Sequence, residues 1–285
     1  MSGGGETSEH EVGSISLPDP ATFSSGVHGT VAGKRGAVRR AGDRALDAWL
    51  VVSGTQGRIG ALAKRVPLRD VLVAAVHAPD SRQIGPALDE LRSSRHNVRV
   101  AAGSTADLPG GKFENLAVLL GDEPGADWTL VLDDDVLLPR GFLDGFVALA
   151  EAFEFELTQP AQTLASHAAW SSARRVPLTI ARQTNFVEIG PVTAFSRVAA
   201  SELLPFPPLK MGWGLDLHWG AVAHERGWKI GVIDALPVRH ETRPVGGSYS
   251  PADASAEAQR FLAARPYIHA ADAGRTLHAH RAVPR

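Results

Sequence analysis

The 285-residue sequence contains no cysteine, carries almost no net charge and has no long apolar run. The absence of cysteine excludes disulfides, thiolate zinc sites and iron–sulfur clusters, and nothing points to an oxidising compartment. A formal net charge of −2 predicts no bulk attraction to nucleic acid or to an anionic membrane. No run approaches the roughly 18 apolar residues that span a bilayer, and the polar N-terminus lacks the apolar region of a signal peptide. We therefore expect a cytoplasmic protein with no transmembrane segment and no nucleic-acid partner.

The residues that are present have the composition of a globular chain, with 44% hydrophobic and 21% charged residues. This length supplies the core of one large α/β domain or of two small ones. Residues 1–40 are rich in glycine, serine and charge without an apolar period, so we predict a disordered N-terminal arm. Residues 41–69 form a lead-in segment whose pattern is ambiguous between helix and strand. The Ala- and Arg-rich usage is typical of a GC-rich bacterial genome.

From residue 70 to 250 strand and helix patterns alternate. The run DVLVAAVHA has the continuous apolar character of a strand buried on both faces. The helical spacing of Ile84, Leu88 and Leu91 follows it, and the alternation continues through the strand pattern DWTLVLDDDV. This order predicts a mixed, mostly parallel central sheet flanked by helices. Residues 251–285 are predicted to form a C-terminal helix and tail.

Three adjacent aspartates, Asp133 to Asp135, follow the predicted strand TLVL. In open α/β sheets, ligands collect at the carboxyl ends of the strands. Three neighbouring carboxylates repel one another, and they exceed what capping the next helix needs. Solvent-exposed capping residues, a phosphatase site and a nucleotide-sugar metal site are the three interpretations of this triplet.

The segment LVLDDDV fits the haloacid-dehalogenase phosphatase signature of four apolar residues followed by D-x-D-x-V. Such domains begin with that strand, whereas two βα units precede it here. They also need a later strand that ends in paired carboxylates, and GVIDALP offers only Asp234. These two features disfavour a phosphatase.

A D-x-D pair also offers hard oxygen ligands to a divalent cation. Such a cation bridges the α- and β-phosphates of a nucleoside diphosphate leaving group and neutralises its charge as the glycosidic bond breaks. The spacing lets one aspartate reach the metal and another the ribose.

Several motifs occur in a fixed order around the triplet: VLVAAVHAPD, AAGST, GGKFENLAVLLG, LVLDDDVLLPRGF, GPVTAFSR, DLHWGAVAHERGW and VRHE. This order resembles that of family 2-like glycosyltransferases with the GT-A fold. The later segments also look like a family of glycosyltransferases, once catalogued as a domain of unknown function, that carries a Gly-Trp-Gly-Leu-Asp segment. The resemblance implies a GT-A-like (Rossmann-like) fold, a Mn2+ or Mg2+ cofactor, a nucleotide-diphosphate sugar donor, and a small-molecule or glycan acceptor.

Carried over by position, the resemblance implies that Asp135 ligates the metal and that His240 completes the metal site. Asp133 contacts the ribose or a metal-bound water in the same site, and Asp134 is the variable middle residue. A structural role for His240 stays open, because the sequence holds 11 histidines. The residues that the resemblance assigns to the nucleotide sugar are His77, Ala78, Asp80, Lys112, Asn115, Asp133, Asp134, Arg243 and Tyr249.

An inverting transferase needs a base near the acceptor hydroxyl. Aligned on GWG, Asp216 becomes this catalytic carboxylate; aligned on DLHW, the family's acidic pair falls on Trp213 and Gly214, and Asp216 is a helix-start residue. Glu188, from the predicted strand FVEIG, is the second candidate, and a solvent-facing strand carboxylate is its alternative interpretation.

The aromatic residues of the same segment are divided between site and core. Trp213 lies between two glycines, so we predict that it and Gly214 contact the acceptor. Trp219 has the spacing that faces Val222 and Ala223, which predicts a core position.

The sequence departs from the family at the base-reading position. The second strand usually ends in an aspartate that reads uracil, but VAAGS has Ala101 and Ala102 there. Base recognition therefore differs, or the donor carries another base. The segment ETRPVGGSYS resembles the loop that closes over the nucleotide, in which Arg243 and Tyr249 meet the diphosphate; a solvated linker is its alternative.

Two other functions stay open beside a metal-dependent, inverting glycosyltransferase. A nucleotidyltransferase of similar fold normally has a Gly-rich loop with an Arg/Lys signature after its first strand, which VHAPDSRQIG lacks. A catalytically silent domain that binds a nucleotide sugar or glycan is compatible with the missing base-reading aspartate.

Overall fold

A computed structural model describes residues 17–24, 33–121, 125–240 and 250–285. Within these ranges, nine strands form one central sheet, and no helix is long and apolar enough to cross a membrane. The strands are β1 Asp70–His77, β2 Asn97–Ser104, β3 Trp128–Leu132, β4 Val136–Leu137, β5 Phe155–Gln162, β6 Ala181–Thr184, β7 Val192–Ser196, β8 Lys229–His240 and β9 Thr276–His280. The helices are α1 Gly33–Val52, α2 Thr55–Ala63, α3 Ile84–Arg92, α4 Lys112–Leu120, α5 Phe142–Ala152, α6 Arg197–Leu203, α7 Leu215–Arg226 and α8 Pro251–Leu262.

The strand order of the sheet is β2-β1-β3-β7-β5-β8-β6-β9, and β4 pairs with β8 beside this path. Strand β1 pairs in parallel with β2 and β3, and β5 pairs in parallel with β8. Strand β7 lies between β3 and β5 and is antiparallel to both. The parallel set β2-β1-β3 and the parallel pair β5-β8 therefore run in the same direction. This arrangement confirms the predicted α/β class with a mixed, mostly parallel sheet.

The core lies on both faces of the sheet, which explains the continuous apolar run of β1. Val71 and Val73 belong to a buried cluster with residues of α2, α3 and α5. Leu72 and Ala74 belong to a second cluster with residues of α4, α6, α7 and α8. Helix α3 buries its apolar stripe in the first cluster, as its helical spacing predicts.

The prediction of a disordered arm is wrong for the part of residues 1–40 that the structure describes. Pro20–Thr22 form a 3-10 turn, Phe23 is 4% exposed, and α1 begins at Gly33. Contacts with distant residues hold this part in place: Gln259 Nε2 donates to the carbonyl of Pro18 at 3.1 Å. Such contacts leave no apolar period in the local sequence, so the pattern predicts disorder there. Residues 1–16 and 25–32 lie outside the described ranges.

Two further elements differ from the sequence prediction. The ambiguous lead-in forms α1 and α2, and the predicted tail contains β9, which extends the sheet by pairing with β6. The segment VEIGPVTAFSR is a strand only from Val192 onward, and Glu188 therefore lies in the loop between β6 and β7.

Candidate functional site

A cavity of about 1000 Å³ lies at the carboxyl ends of β1, β2, β3, β5 and β8. Residues at or just after these strand ends contribute to its wall: Ala78, Thr105, Asp133, Gln162 and His240. The lining contains five carboxylates and two lysines, namely Asp133, Asp134, Asp135, Glu188 and Asp216 with Lys112 and Lys210. Among the described residues, carboxyl groups therefore outnumber lysines in the wall of the cavity.

Asp133, Asp135 and His240 form a cluster in which one potential ligand atom of each lies within 4.8 Å of the others. The two aspartates follow β3, and His240 ends β8. The antiparallel pairing of Val136 with His240 sets the histidine beside the neighbouring Asp135. The Nε2 atom of His240 lies 3.1 Å from Oδ1 of Asp135. Backbone pairing thus brings together the three residues assigned to the metal by the sequence resemblance.

The imidazole of His240 is fixed on both sides. Its Nδ1 donates to the carbonyl of His167 at 3.0 Å, which leaves Nε2 facing Asp135. Burial alone lowers the pKa of His240, but the hydrogen bond to Asp135 and the charges of Asp135 and Asp133 outweigh burial and raise this pKa to about 9. These contacts favour the protonated form of His240 at neutral pH.

The residue set fits a divalent cation. Lys112 Nζ lies 2.5 Å from Oδ1 of Asp133, so an ammonium and an imidazolium neutralise the two aspartates. Two carboxylates are hard oxygen donors suited to Mn2+ or Mg2+, and an imidazole is a common metal ligand once it loses its proton. Asp133, Asp135 and His240 are the residues that would hold such an ion.

Asp134 has a different environment from its two neighbours. Its Oδ2 accepts from the backbone N–H of Ala78 at 2.7 Å, and its carbonyl accepts from Ser81 Oγ at 2.6 Å. These bonds join the end of β3 to the connection between β1 and α3. The middle aspartate therefore shapes the wall that contains Ala78.

Two further carboxylates lie buried in the cavity wall. Glu188 is 7% exposed and accepts from Gln162 Nε2 at 3.0 Å and from the N–H of Ala169 at 3.1 Å. It is neither on a strand nor solvent-facing, so that interpretation of Glu188 was wrong. Asp216 is 6% exposed and lies in the first turn of α7, where it accepts hydrogen bonds from the Leu217 N–H and the Trp170 side chain.

Burial raises the pKa of both carboxyl groups. Burial, assisted by the charge of Asp216, raises the pKa of Glu188 to about 8. Burial also raises the pKa of Asp216 to about 7, although its hydrogen bonds with Leu217 and Trp170 oppose that shift. Both carboxyl groups therefore ionise less readily than exposed ones.

The other residues assigned to the nucleotide fall into three groups. Ala78, Lys112 and Asn115 line the cavity, whereas neither His77 nor Asp80 belongs to its described lining. His77 is half-buried with Nδ1 3.0 Å from the carbonyl of Ala78, and Asp80 is exposed. Arg243 and Tyr249 lie outside the described residues.

The amide of Asn115 is occupied by backbone groups. Its Oδ1 accepts from the N–H of Gly110 at 2.9 Å, and its Nδ2 donates to the carbonyls of Leu108 and Gly110. Asn115 therefore fixes the loop that precedes α4. Lys112, the first residue of α4, pairs with Asp133.

The segment before α7 has the backbone conformation that its glycines suggest. Gly212 and Gly214 have φ values of +77° and +90°, a region that other residues rarely adopt. Trp213 between them is half-buried and lines the cavity together with Gly214. Trp219 is 2% exposed in the core with Val222 and Ala223, as its spacing predicts.

Sequence patterns missed the residues that hold this site from behind. The carboxylate of Glu257 on α8 accepts hydrogen bonds from three successive backbone amides, those of Lys210, Met211 and Gly212, at 2.7–2.9 Å. His167 and Ala169 also contribute backbone groups to the site. Backbone contacts of this kind depend on tertiary position and leave no residue-type signal.

Asp234, the carboxylate weighed for a phosphatase, is not at this site. It is 2% exposed and pairs with Arg182 through Arg182 Nε at 2.8 Å, and it also accepts from the N–H of Val176. It is absent from the described lining of the cavity. A buried ion pair accounts for this aspartate, which removes the second acidic group that a phosphatase would need.

No family model matches the sequence, and no curated protein matches it. Solved structures with a similar arrangement include a mannosyltransferase from Pyrobaculum calidifontis in complex with GDP-Man and Mn2+, at 14% identity and a TM-score of 0.47, covering 74% of this chain and 69% of that one. S. aureus TarS with UDP-GlcNAc matches at 13% identity and a TM-score of 0.46, covering 64% and 62%. Glucosyl-3-phosphoglycerate synthase from Mycobacterium tuberculosis, in complex with Mn2+, UDP and phosphoglyceric acid, matches at 17% identity and a TM-score of 0.42. The match covers 71% of this chain and 78% of that one.

Proposed function

We propose that the protein is a metal-dependent, inverting glycosyltransferase that moves a sugar from a nucleotide-diphosphate donor to a hydroxyl acceptor. The observation that carries this proposal is the convergence of Asp133, Asp135 and His240 in a cavity that also contains the buried carboxylate of Asp216. The motif resemblance in the sequence and the mixed α/β sheet agree with it.

A bound Mn2+ or Mg2+ ion would neutralise the negative charge that develops on the leaving diphosphate. His240 must lose its proton before it can act as a ligand. Lys112, which pairs with Asp133 in the metal-free protein, would then be available to the diphosphate as a second positive charge.

Asp216 is the proposed base. Its carboxylate takes the proton of the acceptor hydroxyl while the acceptor oxygen bonds to the anomeric carbon. The bond from that carbon to the diphosphate oxygen breaks, and the nucleoside diphosphate leaves with the electron pair. A pKa of about 7 suits this task, because a base works best when its pKa is near the working pH.

Glu188 lines the same cavity, and we propose that it does not act as the base. Burial and the charge of Asp216 favour the neutral form of Glu188, so it would not compete with Asp216 for the proton of the acceptor hydroxyl. Trp213 and Gly214 line the same cavity and form the proposed contact surface for the acceptor.

A donor panel tests this proposal. The protein is incubated with UDP-, GDP-, ADP-, CDP- and dTDP-sugars and Mn2+, and release of the nucleoside diphosphate is followed with and without EDTA. We expect metal-dependent release from one class of donor. Binding of a nucleotide sugar without release indicates the silent binding domain, and conversion of the nucleotide sugar with pyrophosphate to a nucleoside triphosphate indicates a nucleotidyltransferase. Absence of binding and of turnover with every donor contradicts the proposal.

A further inference from the structure

Residues 163–170, here called the bridging loop, connect β5 to a 3-10 turn at Ser171–Ala173. The loop is joined to the end of β8 by several hydrogen bonds. The His167 carbonyl accepts from Nδ1 of His240 at 3.0 Å, and the His167 N–H donates to the His240 carbonyl at 2.8 Å. Ser166 Oγ accepts from the N–H of His240 at 3.0 Å. The orientation of the metal-site histidine therefore depends on the bridging loop.

The same loop contacts both buried carboxylates of the cavity. The N–H of Ala169 donates to Glu188 at 3.1 Å, and the side chain of Trp170 donates to Asp216. Ring packing between Trp170 and Phe186, with centroids 4.7 Å apart, helps to fix the indole. Three candidate functional groups are thus oriented by a single short segment.

Asp43 on α1 holds the start of the bridging loop from outside the cavity. Its Oδ1 accepts from the N–H of Leu164 at 2.9 Å, and its Oδ2 accepts from the N–H of Ala165 at 3.1 Å. Asp43 is 4% exposed, and the buried guanidinium of Arg175 lies 3.5 Å from its Oδ1. Both oxygens of a buried carboxylate are therefore used to hold two successive backbone amides.

Removing this carboxylate would leave two backbone amides without their acceptor in a largely buried loop. Buried amides of this kind favour local opening until water can reach them. Arg174 also holds the loop by donating to the carbonyls of Leu164 and Ser166. Loss of Asp43 should therefore loosen the loop without unfolding the protein.

We infer that Asp43 is a positioning residue: it fixes the bridging loop, and the loop orients His240, Glu188 and Asp216. The roles of these three residues rest on the proposed function, whereas the control of the loop by Asp43 does not. Helix α1, which precedes the strand and helix alternation in the sequence, becomes part of the site's support.

Asp47 provides a matched control on the same helix. It lies 2.7 Å from the same Nη1 atom of Arg175, but its side chain is 47% exposed, and its ion pair is with Arg175 rather than with a loop amide. Asp43→Asn and Asp47→Asn remove one charge each beside the same arginine. Only the change at residue 43 alters an acceptor of the loop amides.

Hydrogen exchange of the metal-free proteins, read by mass spectrometry over residues 163–170, tests the first step. We expect Asp43→Ala to raise the exchange rate of this segment by about fivefold or more, because local opening sets that rate. Asp43→Asn retains one acceptor oxygen and should give a smaller increase, and Asp47→Asn should match wild type. If Asp43→Ala does not fold, the comparison of the two Asn variants decides the question. Equal exchange in both Asn variants overturns the inference.

Titration with Mn2+ alone tests the second step. Changes in groups that orient metal ligands cost about 10–100-fold in affinity, so we expect a loss of about fivefold for Asp43→Ala, which acts one contact further out. A purely structural role predicts unchanged Mn2+ affinity below the unfolding temperature, and that result overturns the positioning role. If wild type itself does not bind Mn2+, the proposed metal site fails, while the exchange data still decide whether Asp43 controls the loop.

Discussion

At the scale of single residues, the site depends on how burial divides tasks among similar carboxylates. Asp134 is committed to the N–H of Ala78, whereas Asp133 and Asp135 face cationic groups. Glu188 and Asp216 are both buried, and burial raises the pKa of each carboxyl group. Residue type alone would not separate these roles, because all five side chains carry the same functional group.

The proposed base is tested by Asp216→Asn. We expect transfer to fall by about 100-fold or more, since general-base catalysis contributes about that much, while Mn2+-dependent binding of the nucleoside diphosphate stays near wild type. Asp253→Asn is the control, because Asp253 is likewise a first-turn carboxylate, in α8, but is not in the described cavity lining. Unchanged turnover in Asp216→Asn would return Asp216 to the role of a helix-start residue.

Glu188 gives a prediction for stability against pH. Its folded pKa, about 8, lies above its ordinary value of 4.5, so the folded state retains a proton that the unfolded chain loses. The contribution of Glu188 to the stability of the fold is therefore largest below about pH 5. It declines as the pH rises and is lost above about pH 8. We expect Glu188→Gln to gain stability relative to wild type as the pH rises from 5 to 9. Denaturant unfolding at each pH measures this difference, and parallel pH curves would contradict the shift.

At the scale of elements, helix α8 supports the wall that presents Trp213 and Asp216. The carboxylate of Glu257 accepts from three amides of the preceding turn, and Ser255 of the same helix lines the cavity. Helix α8, which is distant in sequence from β1 and β3, thus contributes to the wall of the cavity.

The variant Glu257→Ala tests this support. We expect a loss of about 2–4 kcal/mol in the free energy of unfolding, because buried amides lose a charged acceptor. Transfer should fall as well, since the turn that carries Trp213 loses its anchor. Glu202→Ala is the control, since Glu202 forms a more exposed ion pair with Arg226, and such pairs contribute roughly 0–1 kcal/mol. Thermal and denaturant unfolding give the comparison, and equal losses in both variants would contradict a special role for Glu257.

At the scale of the whole molecule, the spacing of apolar residues predicted the helices and strands that bury a regular face. It missed the elements that are held by contacts with distant parts of the chain. The apolar run of β1 and the stripe of α3 predicted their elements because burial on two faces or on one helical face sets the sequence period. The strand β9 and the turn at Pro20–Thr22 were missed because pairing with β6 and contacts with the C-terminal part stabilise them.

The candidate site was predictable to the same extent. Asp133, Asp135 and His240 lie together because Asp135 directly precedes β4, which pairs with the end of β8 at His240. His77 and Asp80 were placed by resemblance alone, and neither is in the described lining of the cavity. The burial of Glu188 follows from a loop between two strands, which alternation patterns do not describe.

The central claim is that Asp133, Asp135 and His240 bind a divalent metal that a nucleoside diphosphate then shares. Calorimetric titration of Mn2+ into wild type, Asp135→Ala and Asp134→Asn, with and without the nucleoside diphosphate of the active donor class, tests it most directly. We predict that wild type binds Mn2+ more tightly when the nucleotide is present and that Asp134→Asn retains Mn2+ binding. Asp135→Ala should lose more than the roughly 10–100-fold in affinity that changes in ligand-orienting groups cost, because it removes a ligand. Equal Mn2+ affinity in wild type and Asp135→Ala would contradict the claim.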